Sequence, residues 1–270
     1  MRRTAIVYDF DNTLAKGNLQ EKSFIPDIGM EREAFWKAVG DETKSHDADG
    51  ILLYMYYMLE KAKAQNISVT RELLKQHGTY ADLFPGLENG KWFSRINQFG
   101  KKNGLKIEHY IISSGIDEMI LGCPIHKYFK HVFASKFIYN ENGEAVWPGV
   151  GINYTTKTQY LYRINKGIIN HWDGKSINDF VAYDKRSIPF NHMIFIGDGY
   201  TDIPAMKMLN SKGGYSVAVY NLEESQSDNL ETIHNLLSDE RANFVAPADY
   251  RENTTLDIIV KGILGRIAKL

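Results

Sequence analysis

The chain has 270 residues, 43% of them apolar and 24% charged, with a formal net charge of -1. That balance leaves no basic footprint for nucleic acid and no polybasic patch for a membrane surface, and it supplies ample apolar material for a core with an inserted subdomain. The single cysteine, Cys123, excludes an intramolecular disulfide and a thiolate metal cluster, and reads as a small buried hydrophobe.

The chain opens with charged residues, Arg2 and Arg3, but the apolar stretch after them is too short for an export signal. Thr4 to Tyr8 is apolar on both alternating faces, the pattern of a strand buried on both sides of a parallel sheet. Two carboxylates follow at once, in Asp9-Phe10-Asp11-Asn12-Thr13. Ligands of open α/β sheets bind beyond the carboxyl ends of the strands. Two acids two residues apart at that spot repel each other unless a cation lies between them. A metal is expected there.

Helical patterns then run around Glu31 to Val39, Asp49 to Lys63 and Thr70 to Gly78. The middle one is apolar nearly all round from Ile51 to Leu59, which predicts burial on more than one face. That run is about half of the roughly 20 residues that span a bilayer. Core structure resumes near Phe84-Pro85-Gly86 with a helix from about Gly90 to Lys102 and a strand, Lys106 to Ile112, ending in Ser113-Ser114-Gly115. Val132 to Tyr139 and Glu144 to Trp147, joined around Asn142-Gly143, predict a hairpin, read as an accessory ribbon.

Thr155-Thr156-Lys157 opens a helix to about Asn165, and a stretch of mixed character reaches Pro189. Met193 to Ile196 is a second buried-strand run, closed by Gly197-Asp198-Gly199-Tyr200-Thr201-Asp202. Its glycines allow a sharp exit that brings Asp198 and Asp202 toward Asp9 and Asp11. A helix from Thr201 to Leu209, a strand from Tyr215 to Tyr220, a helix from about Leu222 to Leu237, a short strand at Asn243 to Val245 and a final helix from Thr255 complete an alternating pattern. Such alternation gives a doubly wound parallel sheet with helices on both faces.

With Asp-Phe-Asp-Asn-Thr at residues 9–13 and Gly-Asp-Gly-Tyr-Thr-Asp at residues 197–202, the sequence resembles the haloacid dehalogenase (HAD) superfamily. Its helical insertion after the first strand is similar to the C1-type cap of the phosphoserine-phosphatase-like branch. The resemblance implies an α/β fold with a Rossmann-like core, residues 1–16 and 84–270, an all-helical cap, residues 17–83, and a small β-hairpin. It implies a phosphomonoesterase that takes a small phosphate ester, with Mg2+ as cofactor. Asp9 matches the nucleophile that forms an aspartyl-phosphate, and Asp11 the general acid and base. Family members that cleave carbon–halogen bonds lack the second acid, so Asp11 argues for phosphate chemistry.

By the same resemblance the metal ligands are the side chains of Asp9 and Asp198 and the backbone carbonyl of Asp11, with Asp202 acting through water. Ser113, with Ser114 competing, and Lys157, with Lys127, Lys136 and Lys166 as weaker competitors, match the phosphate-binding residues. A lysine in the first turn of a helix opposes the helix dipole, so Lys157 needs a compensating anion. Glu21, close to Asn18 and Gln20, is the candidate substrate contact, and Tyr54, Tyr56 and Tyr57 either line the pocket or fill the cap. The expected setting is cytoplasmic, with neither nucleic acid nor membrane as partner. A phosphotransferase or mutase using the same aspartyl-phosphate, and a non-catalytic phosphate-binding regulator, are the alternatives. The chain has no P-loop, no dinucleotide-type glycine turn and no nucleophile-elbow serine.

Overall fold

The computed structural model describes residues 1–199, 201–223, 235 and 238–270. Strand β1 (Arg2–Tyr8) lies in the middle of a sheet, parallel to β2 (Leu105–Ile116) on one side and to β5 (Met193–Gly197) on the other. Outside β2 come β3 (His131–Tyr139), parallel, and β4 (Ala145–Val150), antiparallel at the edge. Outside β5 come β6 (Tyr215–Tyr220) and β7 (Phe244–Pro247), both parallel. The order is β4-β3-β2-β1-β5-β6-β7. The chain winds outward from β1 in one direction and then returns to wind outward in the other, so the switch point, where such sheets bind ligands, falls between β1 and β5.

The alternation of β1 divides the core. Ile6 and Tyr8 face a layer that holds Trp92, Phe93 and Ile96 of helix α6 (Lys91–Lys102) and Val260 and Ile263 of the last helix, α10 (Thr255–Ile267). Ala5 and Val7 face the other layer, with Tyr160, Leu161 and Ile164 of α8 (Lys157–Lys166) and Ala205, Met206 and Leu209 of α9 (Ile203–Ser211). Ala5 through Tyr8 are all at 0% exposure, as a strand covered on both faces requires.

Between β1 and β2 the chain forms α1 (Leu19–Lys22), α2 (Phe24–Asp27), α3 (Arg32–His46), α4 (Gly50–Ala64) and α5 (Arg71–Gly78), the helical cap. Asp49 caps α4 by accepting from the amides of Ile51 and Leu52, and Thr70 caps α5 through Leu73. The chain enters and leaves this region side by side: Lys16 N donates to Asp82 O at 2.7 Å, and Phe84 N to Leu14 O at 3.0 Å. At its far side α5 meets α7 (Asp117–Gly122) backbone to backbone. A Cβ on Gly78 would overlap the Met119 carbonyl, and one on Gly122 the Lys75 carbonyl.

Three expectations change. The hairpin is not an accessory ribbon: Tyr110, Ile111 and Ile112 of β2 pair with His131, Val132 and Phe133, which makes β3 a sheet strand with a buried start. Strand β2 does not end at Ser113 but continues to Ile116, and its register with β3 shifts between Ile112 and Ile116. Helix α4 is not buried all round, because Leu52 and Tyr56 are 42% and 41% exposed while Tyr54, Met55 and Met58 face inward. The exposed side lies along β4, with the Tyr56 ring 6.3 Å from that of Trp147. Helices α1, α2 and α7 are too short to leave a helical period in the sequence. The helix expected from about Leu222 to Leu237 lies largely outside the described residues. No helix among the described residues is long and apolar enough to cross a membrane.

Candidate active site

The acids stand where the switch point predicts. Asp9 follows β1, its amide donating to Ile196 O of β5 at 2.9 Å, so the two central strands fix its backbone. Phe10 O accepts from the amides of Thr13, Leu14 and Ala15, which folds the chain back beneath Asp11. Asp11 Oδ1 accepts from the Leu19 amide at 3.1 Å, at the start of α1. Asp198 follows β5, and Asp202 lies at the start of α9 with 0% exposure.

Lys157, in the first turn of α8, is also at 0% exposure. Its ammonium donates to Asp202 Oδ1 at 2.7 Å and lies 3.0 Å from Asp9 Oδ2. These are the compensating anions that its position at the helix start demands. Burial of an ammonium is costly without such pairing, and the two acids hold Lys157 protonated, well above the ordinary lysine range. The competing lysines are engaged elsewhere: Lys136 with Asp117, Lys166 with the carbonyls of Ile177 and Asp179, and Lys127 over the Tyr128 ring.

One ammonium does not balance these acids. Burial pushes the Asp9 carboxyl up to about 7, with Lys157 pulling it down and Asp202 pushing it further up. Burial and then the charge of Asp9 raise Asp11 to about 8. Asp198 is raised well above the ordinary carboxylate range by burial, Asp202 and Asp9. Carboxylate oxygens of Asp9, Asp198 and Asp202 all lie within 4.8 Å of one another, and Asp198 Oδ1 and Asp202 Oδ2 are buried without a hydrogen-bond partner. Hard oxygen donors, converging and under-neutralised, fit a hard divalent cation. Gly197 has no room for a side chain, since a Cβ there would overlap the Asp202 carboxylate.

Ser113 is buried, and its Oγ accepts from the Gly115 amide at 2.9 Å. A Cβ at Gly115 would meet Asp11 Oδ2 at 3.0 Å and Ser113 Oγ at 3.2 Å, which puts the serine hydroxyl and the second acid on either side of one bare backbone position. Ser114 lines the cavity; its carbonyl accepts from Tyr54 of the cap at 2.7 Å and from Ser135, while its Oγ is buried without a partner. The register shift of β2 turns this segment toward the acids.

No family model matches the chain. Over 279 aligned residues it is 27% identical to an uncharacterized protein of Borreliella burgdorferi, covering 93% of each. A HAD family hydrolase from Salmonella enterica subsp. enterica serovar Typhi superposes with a TM-score of 0.57 at 15% identity, over 96% of this chain and 70% of that one. A phospho-aspartyl intermediate analogue of phosphoserine phosphatase superposes with a TM-score of 0.54 at 16% identity, over 97% of this chain and 99% of that one. The fold is the HAD hydrolase fold.

On this HAD fold the acids open into a cavity of about 360 Å³. Its far end is built by the cap: Asn18, Gln20, Glu21, Arg32, Trp36, Ile51 and Tyr54. Glu21 Oε1 accepts from Trp36 Nε1 and Asn18 Nδ2, each at 2.6 Å, and its Oε2 lies 3.3 Å from the Asn18 amide and 3.4 Å from Arg32 Nε. Tyr54 lines the cavity, while Tyr56 and Tyr57 do not. Arg32, Trp36 and Ile51 were not singled out as site residues from the sequence. Trp36 falls within the expected helix from Glu31 to Val39, but which cap side chains turn toward the core is a tertiary fact.

Proposed function

We propose that the protein is a Mg2+-dependent phosphomonoesterase acting on a small phosphate ester through an aspartyl-phosphate on Asp9. The observation that carries the reading is the buried Lys157 ammonium held between Asp9 and Asp202, beside an Asp198 oxygen with no partner. A carboxylate attacking a phosphate dianion needs positive charge on the phosphoryl oxygens. Lys157 supplies part of it. Asp9, Asp198 and the backbone carbonyl of Asp11 would hold Mg2+, which supplies the rest by neutralising phosphoryl oxygens and keeping Asp9 ionised.

In the first step Asp9 attacks phosphorus, the bond to the leaving alcohol breaks, and the Asp11 carboxyl gives its proton to the leaving oxygen. In the second, Asp11, now a carboxylate, takes a proton from water as the water oxygen attacks phosphorus, and Asp9 is released with inorganic phosphate. A carboxyl pushed up to about 8 holds its proton at neutral pH, as the acid of the first step must. Ser113, with Ser114 beside it, donates to a phosphoryl oxygen. Asp202 Oδ1 orients Lys157, and its Oδ2 would act on the metal through water. The cap, residues 17–83, closes the site and carries specificity, with Glu21 as the organiser of its polar wall. That the phosphoserine phosphatase neighbour is a phospho-aspartyl intermediate analogue supports the covalent route.

Phosphate release from p-nitrophenyl phosphate tests the reading. Release is expected with Mg2+, and neither in a chelator nor with Asp9→Asn; Mg2+-independent release, or release by Asp9→Asn, would refute it.

A further inference from the structure

The far end of the cavity says what the leaving group is. Its two charged side chains, Glu21 and Arg32, pair with each other at 3.4 Å, Glu21 buried and Arg32 reaching in from an exposed position. The Glu21 side chain is 94% buried and accepts three hydrogen bonds, from Trp36 Nε1, Asn18 Nδ2 and the Asn18 amide, with Arg32 Nε facing its Oε2 as an ion pair at 3.4 Å. A carboxylate has about four lone-pair sites, and the one left on Glu21 faces Arg32, so an ammonium on the substrate must compete with that guanidinium. A substrate carboxylate that sought Arg32 would in turn meet Glu21. Neither sign of charge is invited.

What is left over is hydrogen-bonding capacity without charge. Gln20 lines the cavity at 2% exposure, and its Oε1 is buried with no partner. A buried acceptor left unpaired is costly, and a hydroxyl donor from a ligand removes that cost. The amides of Asn12 and Asn18 stand in the same lining, and Trp36, Ile51 and Tyr54 give it an apolar wall, the Trp36 and Tyr54 rings meeting edge to face at 5.7 Å. A planar amide beside an aromatic wall suits a molecule with hydroxyls around its edge and C–H bonds on its faces. The volume of about 360 Å³ lies within the range of small-molecule sites and exceeds the needs of a bare phosphate.

Resting on the phosphomonoesterase reading, we propose that the substrate is the phosphate of an uncharged polyhydroxylated alcohol, a sugar or an open-chain polyol, with Gln20 as a specificity residue that accepts from one of its hydroxyls. The test is a comparison of kcat and KM on the full chain with Mg2+. One arm is hexose and pentose phosphates, a second is polyol phosphates, a third is phosphoserine, phosphoethanolamine and phosphocholine, and p-nitrophenyl phosphate is the reference. A sugar or polyol phosphate is expected to exceed every amine-bearing ester in kcat/KM by about tenfold or more, since a site that hydrogen-bonds a hydroxyl discriminates strongly for it. The first two arms separate ring from open chain. Gln20→Met is expected to raise KM for the preferred compound about tenfold, with kcat falling less than about threefold.

Highest kcat/KM on an amine-bearing ester, with p-nitrophenyl phosphate hydrolysed, would overturn this inference and leave the hydrolase standing. A Gln20→Met variant that binds the preferred compound unchanged would overturn the role of Gln20. If p-nitrophenyl phosphate and every ester were untouched, the hydrolase reading would fall and this one with it. The wild-type ranking decides the substrate class even if the variant does not fold.

Discussion

Tyr8 and Asp9 are neighbours in sequence and opposites in chemistry. The Tyr8 hydroxyl, wholly buried, accepts from Trp92 Nε1 at 2.9 Å and lies 3.0 Å from His109 Nδ1, whose Nε2 lies 3.0 Å from Asn97 Oδ1. The order that satisfies every group runs Trp92 to Tyr8 to His109 to Asn97. Burial pushes His109 down to about 3, so the imidazole is neutral. One residue on, Asp9 enters a cluster of acids with one lysine among them and partnerless oxygens on Asp198 and Asp202. A satisfied neutral network specifies a core; an unsatisfied charged one stores a demand for a ligand. The two part because successive side chains of a strand point to opposite faces of the sheet, and Asp9 follows directly on the last residue of β1.

Breaking the charged side comes first. Asp9→Asn is expected to lower turnover by on the order of 10⁵-fold, as loss of a nucleophile does, and to raise the Tm of the metal-free protein at pH 8 by removing a crowded charge. A lower Tm would count against the cluster as a site of repulsion. Lys157→Met reverses that sign in stability: it leaves Asp9 and Asp202 facing each other without a cation, a loss of about 3–5 kcal/mol in denaturant titration without metal. An unchanged midpoint would mean that another group neutralises the pair.

The neutral side yields less. Tyr8→Phe leaves Trp92 Nε1 and His109 Nδ1 without their partner, at a cost of about 1–3 kcal/mol, while kcat stays within about twofold. A kcat loss as large as that of Asp9→Asn would erase the distinction between the two sides. The last effect is in pH. The folded protein holds the protons of Asp9 and Asp11 up to about 7 and 8, whereas an unfolded carboxyl gives them up near 4. Their contribution to stability is therefore full below about 4, declines as pH rises, and is lost once pH has passed about 7 and 8. The Tm of the metal-free protein should fall from pH 5 to pH 8.5, Asp11→Asn should fall less, and saturating Mg2+ should flatten the curve. Parallel curves for wild type and Asp11→Asn would rule out the raised Asp11.

The sequence made the reacting end legible because its signal is local. A buried strand announces its own end, and an acid placed there needs no tertiary information to be noticed. Asp9, Asp11 and Asp198 stand at such ends, and Lys157 was marked by standing against a helix dipole. The cavity's far end had no such signal. Gln20, Arg32 and Trp36 come from a four-residue helix and the start of a longer one, and they meet only because the cap folds over the sheet. Asp202 was expected to act on the metal through water, and its engagement with Lys157 depends on how α8 and α9 pack. The placement of β3 in the sheet was hidden for a related reason, since an Asn-Gly turn reports a hairpin and says nothing of what lies on its other side.

Leu14 and Lys16 on the way into the cap touch Phe84 and Asp82 on the way out. Two chain ends that are hydrogen-bonded neighbours can be rejoined by a short turn without moving β1 or the start of α6. A different insert spliced at the same seam would keep Asp9, Asp198 and Lys157 in place and bring its own wall, but it would have to replace the Leu19 amide that holds Asp11. The seam fixes where an insert enters and leaves, while α7 and Ser114 fix where it must lean.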